Sequence, residues 1–484
     1  MITRFKVNGF KNLTDVDIRF GPFNCVAGAN AIGKSNLFDA IRFLSMLASE
    51  EIIEAAKKIR SEGQRASDVR DIFHKIGNKY SPRMSFEVDL IIPEYAYDDL
   101  GAQATASITT VRYILTLRLK NEESIHLIEV EKEELVPIRQ QDAKKDILFP
   151  SSTKWKKSVI KGRRGSNSKF ISTETKDDKL LVRLHQDQEK GKPFDRDPVR
   201  MGRTALSTVS AEFPTACVVK EELRSWTFLQ LEPSSLRKSD EVHIIRNAKI
   251  KADGAHMPAT LYRLESEHPK RDIMQEVTNR LSELIDDNLM LKIEKDDKRD
   301  LLTLILTQNQ TELPARSLSD GTLRFLALTI LEVDYSSGGL ICLEEPENGI
   351  HPKKIEAMIR LLKDIACDTK YESDTKAGNP LRQVIINTHS PLVVPYVPED
   401  SLLVAENVQY YDSALKQKYN KIIFSPLPDT WREQGQTVSL GKLFDYLGRP
   451  SPDVTEETNA TNGKKPRRVI DNKIISNQLQ LFNS

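Results

Sequence analysis

The sequence predicts a mixed α/β fold, and three observations support that class. The apolar run FNCVA leads into the glycine-rich stretch GANAIGKS at 28–35, after which apolar residues recur at helical spacing. Two more segments, GLICLEEPENGIHP at 339–352 and QVIINTHSP at 383–391, begin as apolar strands and become polar where the strands end. Finally, the runs at 83–92 and 111–120 are amphipathic enough for an antiparallel layer. We therefore expect buried strands covered by helices, with a second β layer packed against them.

The stretch 28–35 fits the phosphate-binding pattern G-x-x-x-x-G-K-[ST]. Such a loop exposes backbone N–H groups to a β-phosphate, and the following helix adds the partial positive charge of its N-terminus. Lys34 would meet the β- and γ-phosphates, and the Ser35 hydroxyl would hold Mg²⁺. A chance match is the alternative, since the pattern fixes only half of its positions, but the flanking strand and helix favour a nucleotide site. The helical spacing is that of Leu37, Ala40, Ile41, Leu44 and Leu47.

Composition sets only broad limits on function. The chain has 484 residues, 39% of them hydrophobic, which suffices for about two to four domains. Lys plus Arg number 71 and Asp plus Glu 70, so net charge argues neither for nor against a polyanionic partner. The four cysteines form no C-x-x-C pair, which favours buried thiols over disulfides or a zinc site. Because the sequence has no signal core and no apolar run of about 18 residues, we expect a cytoplasmic protein without a membrane partner.

Changes in composition divide the chain into five predicted segments. The phosphate-loop motif and the amphipathic strands lie in a first lobe, and the remaining motifs lie in a second lobe after two insertions. The last segment contains a helix candidate at 440–447 and a polar tail whose end, KIISNQLQLF, could dock. The predicted boundaries are 1–135 for the first lobe, 136–215 for a basic insertion, 216–300 for a mainly helical insertion, 301–408 for the second lobe and 409–484 for a partly disordered extension.

The first insertion, 136–215, contains a basic stretch between Ser151 and Thr173 that has no acidic residue. Trp155 and Phe170 lie among its cations, and such a mixture can grip phosphates and stack bases, so DNA is a possible partner through 151–170. The alternative, which we favour, is a solvated, mobile insertion, because Gly, Ser and Asn are also frequent there. The basic residues are Lys154, Lys156, Lys157, Lys161, Arg163, Arg164 and Lys169.

Three groups of polar residues in the second lobe are candidates for chemistry. Glu344 and Glu345 end a buried strand, and tandem carboxylates there repel each other unless a cation lies between them; the alternative is a solvated acidic turn. Ser319 and Gly321 begin a helix and could present a hydroxyl and N–H groups to an anion, although an ordinary N-cap explains them equally well. His389 could donate to a γ-phosphate, although a lone histidine is more often structural.

In their order along the chain, these motifs resemble the nucleotide-binding domain of the ABC ATPase superfamily. The long interval between the phosphate loop and LSDGT is similar to that of the SMC and RecF branch. Within that branch, FKN, GANAIGKSN, LSDGT, EEPENGIHP and NTHSP most resemble the OLD-like ATPases of prokaryotic chromosomes and plasmids, several of which serve in phage defence. The resemblance covers 1–50 and 310–395. It implies an α/β fold built as a split ABC-type P-loop nucleotide-binding domain with an antiparallel β layer and a helical insertion.

The resemblance also implies a role for each motif. ATP and Mg²⁺ are the expected ligands, with Glu344 as the metal carboxylate, Glu345 as the catalytic base, Lys34 as a catalytic cation and His389 as the switch histidine. Ser35 would bind Mg²⁺ as well as phosphate. The expected nucleotide contacts are Gly28, Asn30, Gly33, Lys34, Ser35 and Asn36 of one copy, with Ser319 and Gly321 of the signature motif of a second copy.

Two features depart from the superfamily pattern. The signature reads LSDGT where LSGGQ is common, so Asp320 stands in place of a glycine close to phosphate. For the glutamine of the Q-loop the nearest candidates are Gln64 and Gln103, and neither has a convincing context.

These expectations lead to two functional hypotheses. Since hydrolysis would need two heads, the partners are a homodimer or higher homo-oligomer, in which ATP acts as a reversible cross-link. The first hypothesis is a nucleotide-dependent switch that holds or activates a separately encoded effector, a nuclease or toxin, in antiphage defence. The resemblance implies that a nuclease of the OLD type would carry a Toprim domain with a metal-binding D-x-D pair after the switch histidine. Only 95 residues follow His389 and they contain no D-x-D pair, so no Toprim nuclease is expected in the chain. The alternative is a RecF-like DNA-binding ATPase in repair or chromosome maintenance; a transporter ATPase ranks lower.

Overall fold

The structure is a computed structural model. It describes residues 1–59, 68–122, 125–162, 169–176, 179–187, 194–196, 202–285, 289–336, 338–376, 378–413, 416–432 and 437–438.

Within these residues the strands form two large sheets and several small ones. The strands are β1 (Ile2–Asn8), β2 (Val16–Arg19), β3 (Phe23–Ala27), β4 (Lys75–Ile76), β5 (Lys79–Tyr80), β6 (Arg83–Ile91), β7 (Tyr95–Tyr97), β8 (Gln103–Thr105), β9 (Thr110–Glu122), β10 (Ile125–Pro137), β11 (Ile171–Lys176), β12 (Lys179–Leu184), β13 (Phe194–Arg196), β14 (Thr227–Leu229), β15 (Asp240–Glu241), β16 (Leu289–Asp296), β17 (Leu301–Gln308), β18 (Thr311–Pro314), β19 (Gly339–Glu344), β20 (Arg382–Thr388), β21 (Leu402–Asp412) and β22 (Gln417–Pro426).

The described residues also form α-helices. They are α1 (Lys34–Leu47), α2 (Ile52–Lys58), α3 (Gln140–Asp146), α4 (Thr153–Val159), α5 (Pro214–Arg224), α6 (Pro233–Leu236), α7 (Met257–Glu267), α8 (Ile273–Ile285), α9 (Asp320–Val333) and α10 (Ile355–Ile365).

An eight-stranded antiparallel sheet has the order β13-β12-β11-β10-β9-β6-β1-β2. It contains the two amphipathic runs as β6 and β9, which pair antiparallel from Arg83 opposite Arg118 to Ile91 opposite Thr110. Burial alternates along the first part of β6, as expected for a sheet with one face on the core, and the residues from Val88 to Ile91 are all buried. The predicted antiparallel layer is therefore confirmed. It is also larger than expected, because β10 to β13 extend it into the segment predicted as a basic insertion.

The second large sheet has the order β14-β19-β20-β3-β21-β22, and its first five strands run parallel. Side chains alternate between its faces: Val384 and Ile386 of β20 join one core, while Ile385 between them joins the other. A sheet buried on both faces explains the uninterrupted apolar runs of the sequence. The predicted α/β class is thus confirmed, and β14 shows that the segment predicted as a helical insertion also supplies a strand to this sheet.

The two faces of the parallel sheet carry different helices. On one face α1, α2 and α5 fill the core shared with the antiparallel sheet. On the other face α7, α8, α9 and α10 form a second core. All five apolar residues predicted for the helix after the phosphate loop are buried in the first core, whereas Leu323, Phe325 and Leu326 of α9 are buried in the second. Consequently α1 and α9 lie on opposite faces.

The segment 216–300, predicted to be mainly helical, ends in strands. The helices α7 and α8 occupy 257–285, but Leu291 belongs to β16 and pairs with Leu306 of β17. Long-range pairing outweighs the local pattern here, because Leu289 and Leu291 alternate toward the core as strand residues. The strands β15 to β18 form a small sheet beside α7.

A hairpin that the sequence did not suggest spans the end of the second lobe and the start of the C-terminal extension. The strand β21 runs parallel to β3, with Val404 opposite Ala27, and β22 returns antiparallel. The helix candidate at 440–447 and KIISNQLQLF lie outside the described residues. Within the described part of the chain, no helix combines the length and apolar composition needed to cross a membrane. The domain boundaries remain predictions.

Candidate nucleotide-binding site

Three neighbouring parallel strands end at one edge of the sheet, and each is followed by a predicted motif. In the register, Ala27 of β3 lies opposite Thr388 of β20, and Asn387 lies opposite Glu344 of β19. The phosphate loop, the tandem carboxylates and His389 therefore leave the sheet side by side. Ligands of open α/β sheets bind at such carboxyl ends.

The two motif glycines are required by their surroundings. A side chain at Gly28 would place its Cβ 2.8 Å from the carbonyl oxygen of Ala405 on β21. Gly33 has a φ of 105°, and a Cβ there would lie 2.3 Å from Nδ2 of Asn12. The absence of a side chain at both positions lets the phosphate-binding loop pass close to Ala405 and Asn12.

Asn12 supports the phosphate loop, a role that the FKN motif alone did not assign to it. Its Nδ2 donates to the carbonyl oxygen of Ile32 at 3.0 Å, and its Oδ1 accepts from Nδ2 of Asn36 at 2.8 Å. The turn that contains it is in turn held by His74, whose Nδ1 lies 2.6 Å from the carbonyl oxygen of Lys11. The FKN segment of the sequence was the available signal. Asn36, expected to contact nucleotide, here contacts Asn12.

Lys34 is 7% exposed and folds back on its own loop. Its Nζ donates to the carbonyl oxygens of Gly28 at 2.7 Å and Ala29 at 2.8 Å. Burial lowers the pKa of Lys34, while the charges of Glu345, Glu347 and Glu344 partly offset that shift. The ammonium thus interacts electrostatically with the carboxylates at the end of β19 and in the turn after it.

Glu345 is held in place from three sides. Its φ is 46°, uncommon for a residue with a side chain, and its N–H is 3.1 Å from both the carbonyl oxygen and Oδ1 of Asn387. One carboxylate oxygen lies 2.7 Å from Nδ1 of His389 and the other accepts from Asn348 at 2.8 Å. Burial acts to raise the pKa of Glu345, but the bonds from Asn348 and His389 and the charges of His389 and Lys34 leave it below its ordinary value. An ionised carboxylate accepts, so Nδ1 of His389 carries the proton.

The turn after β19 contains a further acid, Glu347, to which the motifs assigned no role. It is 7% exposed, and its Oε1 accepts a hydrogen bond from Oγ1 of Thr388. Its Oε2 is buried and has no hydrogen-bond partner among the described residues. Burial raises the pKa of Glu347, against the bond from Thr388. It ties the turn after β19 to the end of β20.

The expected metal ligands, Ser35 and Glu344, are both exposed at this edge, as is Asn30. Ser35 lies in the first turn of α1 and Glu344 is the last residue of β19. A hydroxyl and one carboxylate fit Mg²⁺ that is also held by phosphate oxygens and waters. Among the described residues no cluster of three His, Cys, Asp or Glu could hold a metal alone, so any Mg²⁺ here would depend on the nucleotide.

The signature residues stand at the start of α9, on the sheet face opposite α1. Ser319 caps α9: its Oγ accepts from the N–H of Thr322 at 3.2 Å and lies 2.8 Å from the hydroxyl of Thr322. Gly321 approaches the turn after β19, since a Cβ on it would lie 3.2 Å from the carbonyl oxygen of Gly349. The N-cap reading is therefore correct for the free chain. It leaves the start of α9 exposed, with α9 and α1 on opposite sheet faces.

The basic stretch differs in part from both sequence interpretations. Trp155 is fully buried on α4 against Phe149, and Phe170 is 1% exposed, so neither ring is free to stack a base. Nor is the described part an unstructured insertion. Lys156 donates to the carbonyl oxygens of Lys144 and Ile147, and burial lowers its pKa.

The other cations of the stretch divide into three groups. Lys161 pairs with Glu94 and Lys169 with Glu134. Lys154 and Lys157 are exposed. Arg163 and Arg164 lie outside the described residues. The structure neither supports nor contradicts a Q-loop role for the two candidate glutamines. Gln64 lies outside the described residues, and Gln103 lies in the small hairpin of β7 and β8.

A buried strand, a glycine-rich loop and a helix, set beside strand-end carboxylates, are the arrangement that defines P-loop ATPases. The chain belongs to the family described as "AAA domain, putative AbiEii toxin, Type IV TA system", whose model matches residues 23–394. This match includes the phosphate loop, the signature, the acids after β19 and His389.

One curated relative and two solved structures are similar to the chain. The DNA replication and repair protein RecF of Phocaeicola vulgatus is 35% identical over 65 residues, which are 13% of this chain and 18% of that protein. An SMC head bound to the C-winged helix domain of ScpA is 13% identical with a TM-score of 0.42, covering 88% of this chain and 98% of that one. The SMC head domain from Thermotoga maritima is 12% identical with a TM-score of 0.38, covering 88% and 99%. Both TM-scores are below 0.5, so the fold class of this protein is assigned from the order and direction of its own strands.

Proposed function

We propose that this protein hydrolyses ATP at sites shared between two copies of the chain. The observation that carries the proposal is the contact of Glu345 with His389 at the sheet edge where Lys34 closes the phosphate loop. A lowered pKa keeps Glu345 ionised at neutral pH, so that it can accept a proton from water. The protein thus has a base, a cation and a histidine at the ends of three adjacent strands.

Each site residue has a task in this proposal. Lys34 exchanges the carbonyl oxygens of Gly28 and Ala29 for phosphate oxygens, a change that restores a counter-charge to a buried ammonium. Ser35 and Glu344 would hold Mg²⁺, which neutralises charge developing on the phosphates. Glu345 orients and deprotonates the attacking water, and His389 keeps its carboxylate in position through Nδ1.

The placement of the signature supports the need for a second copy. Since α9 and α1 pack on opposite faces of the parallel sheet, Ser319 and Gly321 belong to the layer across the sheet from the helix that follows the phosphate loop. A second copy can supply Ser319 and Gly321 to a bound γ-phosphate, through a hydroxyl and helix-start N–H groups. ATP would then join two heads, and its hydrolysis would release them.

Release of phosphate from ATP by the purified chain with Mg²⁺, together with sedimentation with and without ATP, tests this proposal. We expect Mg²⁺-dependent hydrolysis whose specific rate rises with protein concentration, and none from Lys34→Ala. A rate per chain that is independent of concentration, with one sedimenting species throughout, would contradict the shared site.

For the cellular role, we propose a nucleotide-dependent switch that controls a separately encoded effector, a nuclease or toxin, in prokaryotic defence. Support comes from the resemblance of the motifs to OLD-like ATPases and from the family description, which names a putative toxin of a type IV toxin–antitoxin system. The test is to co-express the chain with its neighbouring gene product and purify it with ATP or with ADP. Nucleotide-dependent co-purification is expected, and a partner bound equally in both states would contradict a switch.

A second candidate role is RecF-like DNA binding, favoured by the 35% identity to RecF over 65 residues. The burial of Trp155 and Phe170 removes base stacking from this candidate, so any contact by α4 would be with phosphates. Duplex DNA binding that falls steeply with salt, and falls further in Lys154→Glu with Lys157→Glu, would favour it. Binding unchanged by that double substitution would exclude α4 as the contact.

A further inference from the structure

The residue that departs from the superfamily signature has a specific partner. Asp320, the first residue of α9, accepts a hydrogen bond from Nη2 of Arg237. The same Nη2 also donates at 3.0 Å to the carbonyl oxygen of Leu318. Arg237 therefore bonds to the residues on either side of Ser319, and its guanidinium pairs with the only acid within LSDGT.

Arg237 is held in this position by its own segment. It directly follows α6, whose Leu236 is 1% exposed and packs in the same core as α9. Ser235 donates to Oδ2 of Asp253 at 2.8 Å, and Asp253 in turn accepts from the N–H of Ala255 at 3.1 Å. The guanidinium thus reaches the signature from an anchored helix end, so little of its freedom remains to be lost on binding.

In the free chain this ion pair contributes little to folding. The side chains of Arg237 and Asp320 are 29% and 48% exposed, and exposed pairs are weak because water screens them. The situation changes if a second copy covers the signature. An uncompensated carboxylate at Asp320 would then face the γ-phosphate of a bound nucleotide in a site that excludes water, where like charges repel strongly.

We infer that Arg237 is a positioning residue for the signature: it neutralises Asp320 and so allows LSDGT to close on a nucleotide triphosphate held by a second copy of the chain. This inference rests on the proposed shared site. It assigns to Arg237 and Asp320 together the role that a glycine has in LSGGQ, and it predicts that Arg237 is needed only because Asp320 is present.

The experiment compares ATP-dependent association of Arg237→Ala, Asp320→Gly and the double variant by analytical ultracentrifugation, in a Glu345→Gln background that retains ATP. Arg237→Ala should raise the protein concentration needed for association about tenfold or more. The double variant should return to within about threefold of Asp320→Gly alone, since the removed residues are coupled. Asp320→Asn replaces the glycine variant if loss of the helix-start side chain impairs folding.

Lys238→Ala is the matched control, because it removes the next cation of the same segment, which is exposed. It should associate like the parent, and the melting temperatures of all variants without nucleotide should agree closely. Normal association of Arg237→Ala, or a double variant as weak as Arg237→Ala, would overturn the inference; the second result would mean that Arg237 acts on the nucleotide itself. If the Glu345→Gln parent does not associate with ATP, the shared site fails, and the inference fails with it.

Discussion

Nδ1 of His389 lies 2.7 Å from Oε1 of Glu345. The two residues are 44 positions apart and follow neighbouring parallel strands, β20 and β19. Each alone has an ordinary structural explanation, but a histidine that orients a strand-end carboxylate next to a phosphate loop is an arrangement suited to activating water.

Replacing Glu345 by Gln should abolish hydrolysis while preserving ATP binding. The amide cannot accept a proton, so kcat should fall about 10²- to 10⁴-fold. The ATP-bound pair of heads should accumulate, which sedimentation with and without ATP can measure. Glu356→Gln on the exposed face of α10 is the control and should hydrolyse normally. Association of Glu345→Gln without nucleotide would argue against ATP as the cross-link.

Removing either donor to Glu345 should change the pH dependence of hydrolysis. Bonds from Asn348 and His389 help to hold the pKa of Glu345 below its ordinary value. His389→Ala or Asn348→Ala should therefore raise that pKa, and the acidic limb of the kcat profile should move to higher pH. The measurement is kcat at saturating ATP from pH 4.5 upward. A lower kcat with an unmoved acidic limb would mean that His389 does not act through Glu345.

Asn12→Ala should weaken ATP binding without preventing folding. The substitution removes the bonds that tie Asn12 to Ile32 and Asn36, so the phosphate loop loses its support. We expect the dissociation constant to rise about tenfold, the equivalent of roughly one hydrogen bond. Titration calorimetry can measure it. Asn8→Ala, which removes a bond to the N–H of Asp15, should bind like the parent; an equal loss there would assign the effect to β1 rather than to the loop.

Gly33→Ala should eliminate nucleotide binding. Gly33 has a φ of 105°, which strains a residue with a side chain, and a Cβ there would displace either the loop or the amide of Asn12 that supports it. Gly101 also has a positive φ, 80°, but nothing lies within 4 Å of a Cβ there. Gly101→Ala should cost about 1–3 kcal/mol of unfolding free energy through backbone strain alone and leave ATP binding intact. Comparable ATP affinity in the two variants would show that space at Gly33 is not required.

Trp155→Ala should destabilise the protein and thereby separate packing from DNA binding. The ring is fully buried between α4 and Phe149, so its loss should cost about 3–5 kcal/mol in chemical denaturation. Lys154→Ala, its exposed neighbour, should leave stability within about 0.5 kcal/mol. A Trp155→Ala variant of unchanged stability with reduced DNA binding would restore the base-stacking hypothesis.

Local pattern was sufficient for the elements that carry the motifs. Helical spacing identified the buried face of α1, and apolar runs identified β19 and β20 together with the polar residues at their ends. Local pattern failed where pairing is distant: Leu291 is in a strand because β17 pairs with it, and β21 joins β3 across more than 370 residues of sequence. It also failed at Trp155, whose basic neighbours suggested exposure.

The sequence alone therefore determined the candidates for the chemistry and that Lys34, Glu345 and His389 follow separate strands, because motif and periodicity are local properties of the chain. Only the tertiary structure decided that those strands end side by side, that Asn12 supports the loop, and that Arg237 pairs with Asp320. Such contacts depend on strand order and on helix packing across the two faces of a sheet, and residue spacing along the chain does not encode them. The phosphate loop is thus recognisable in 28–35, but its neighbours are fixed by the fold.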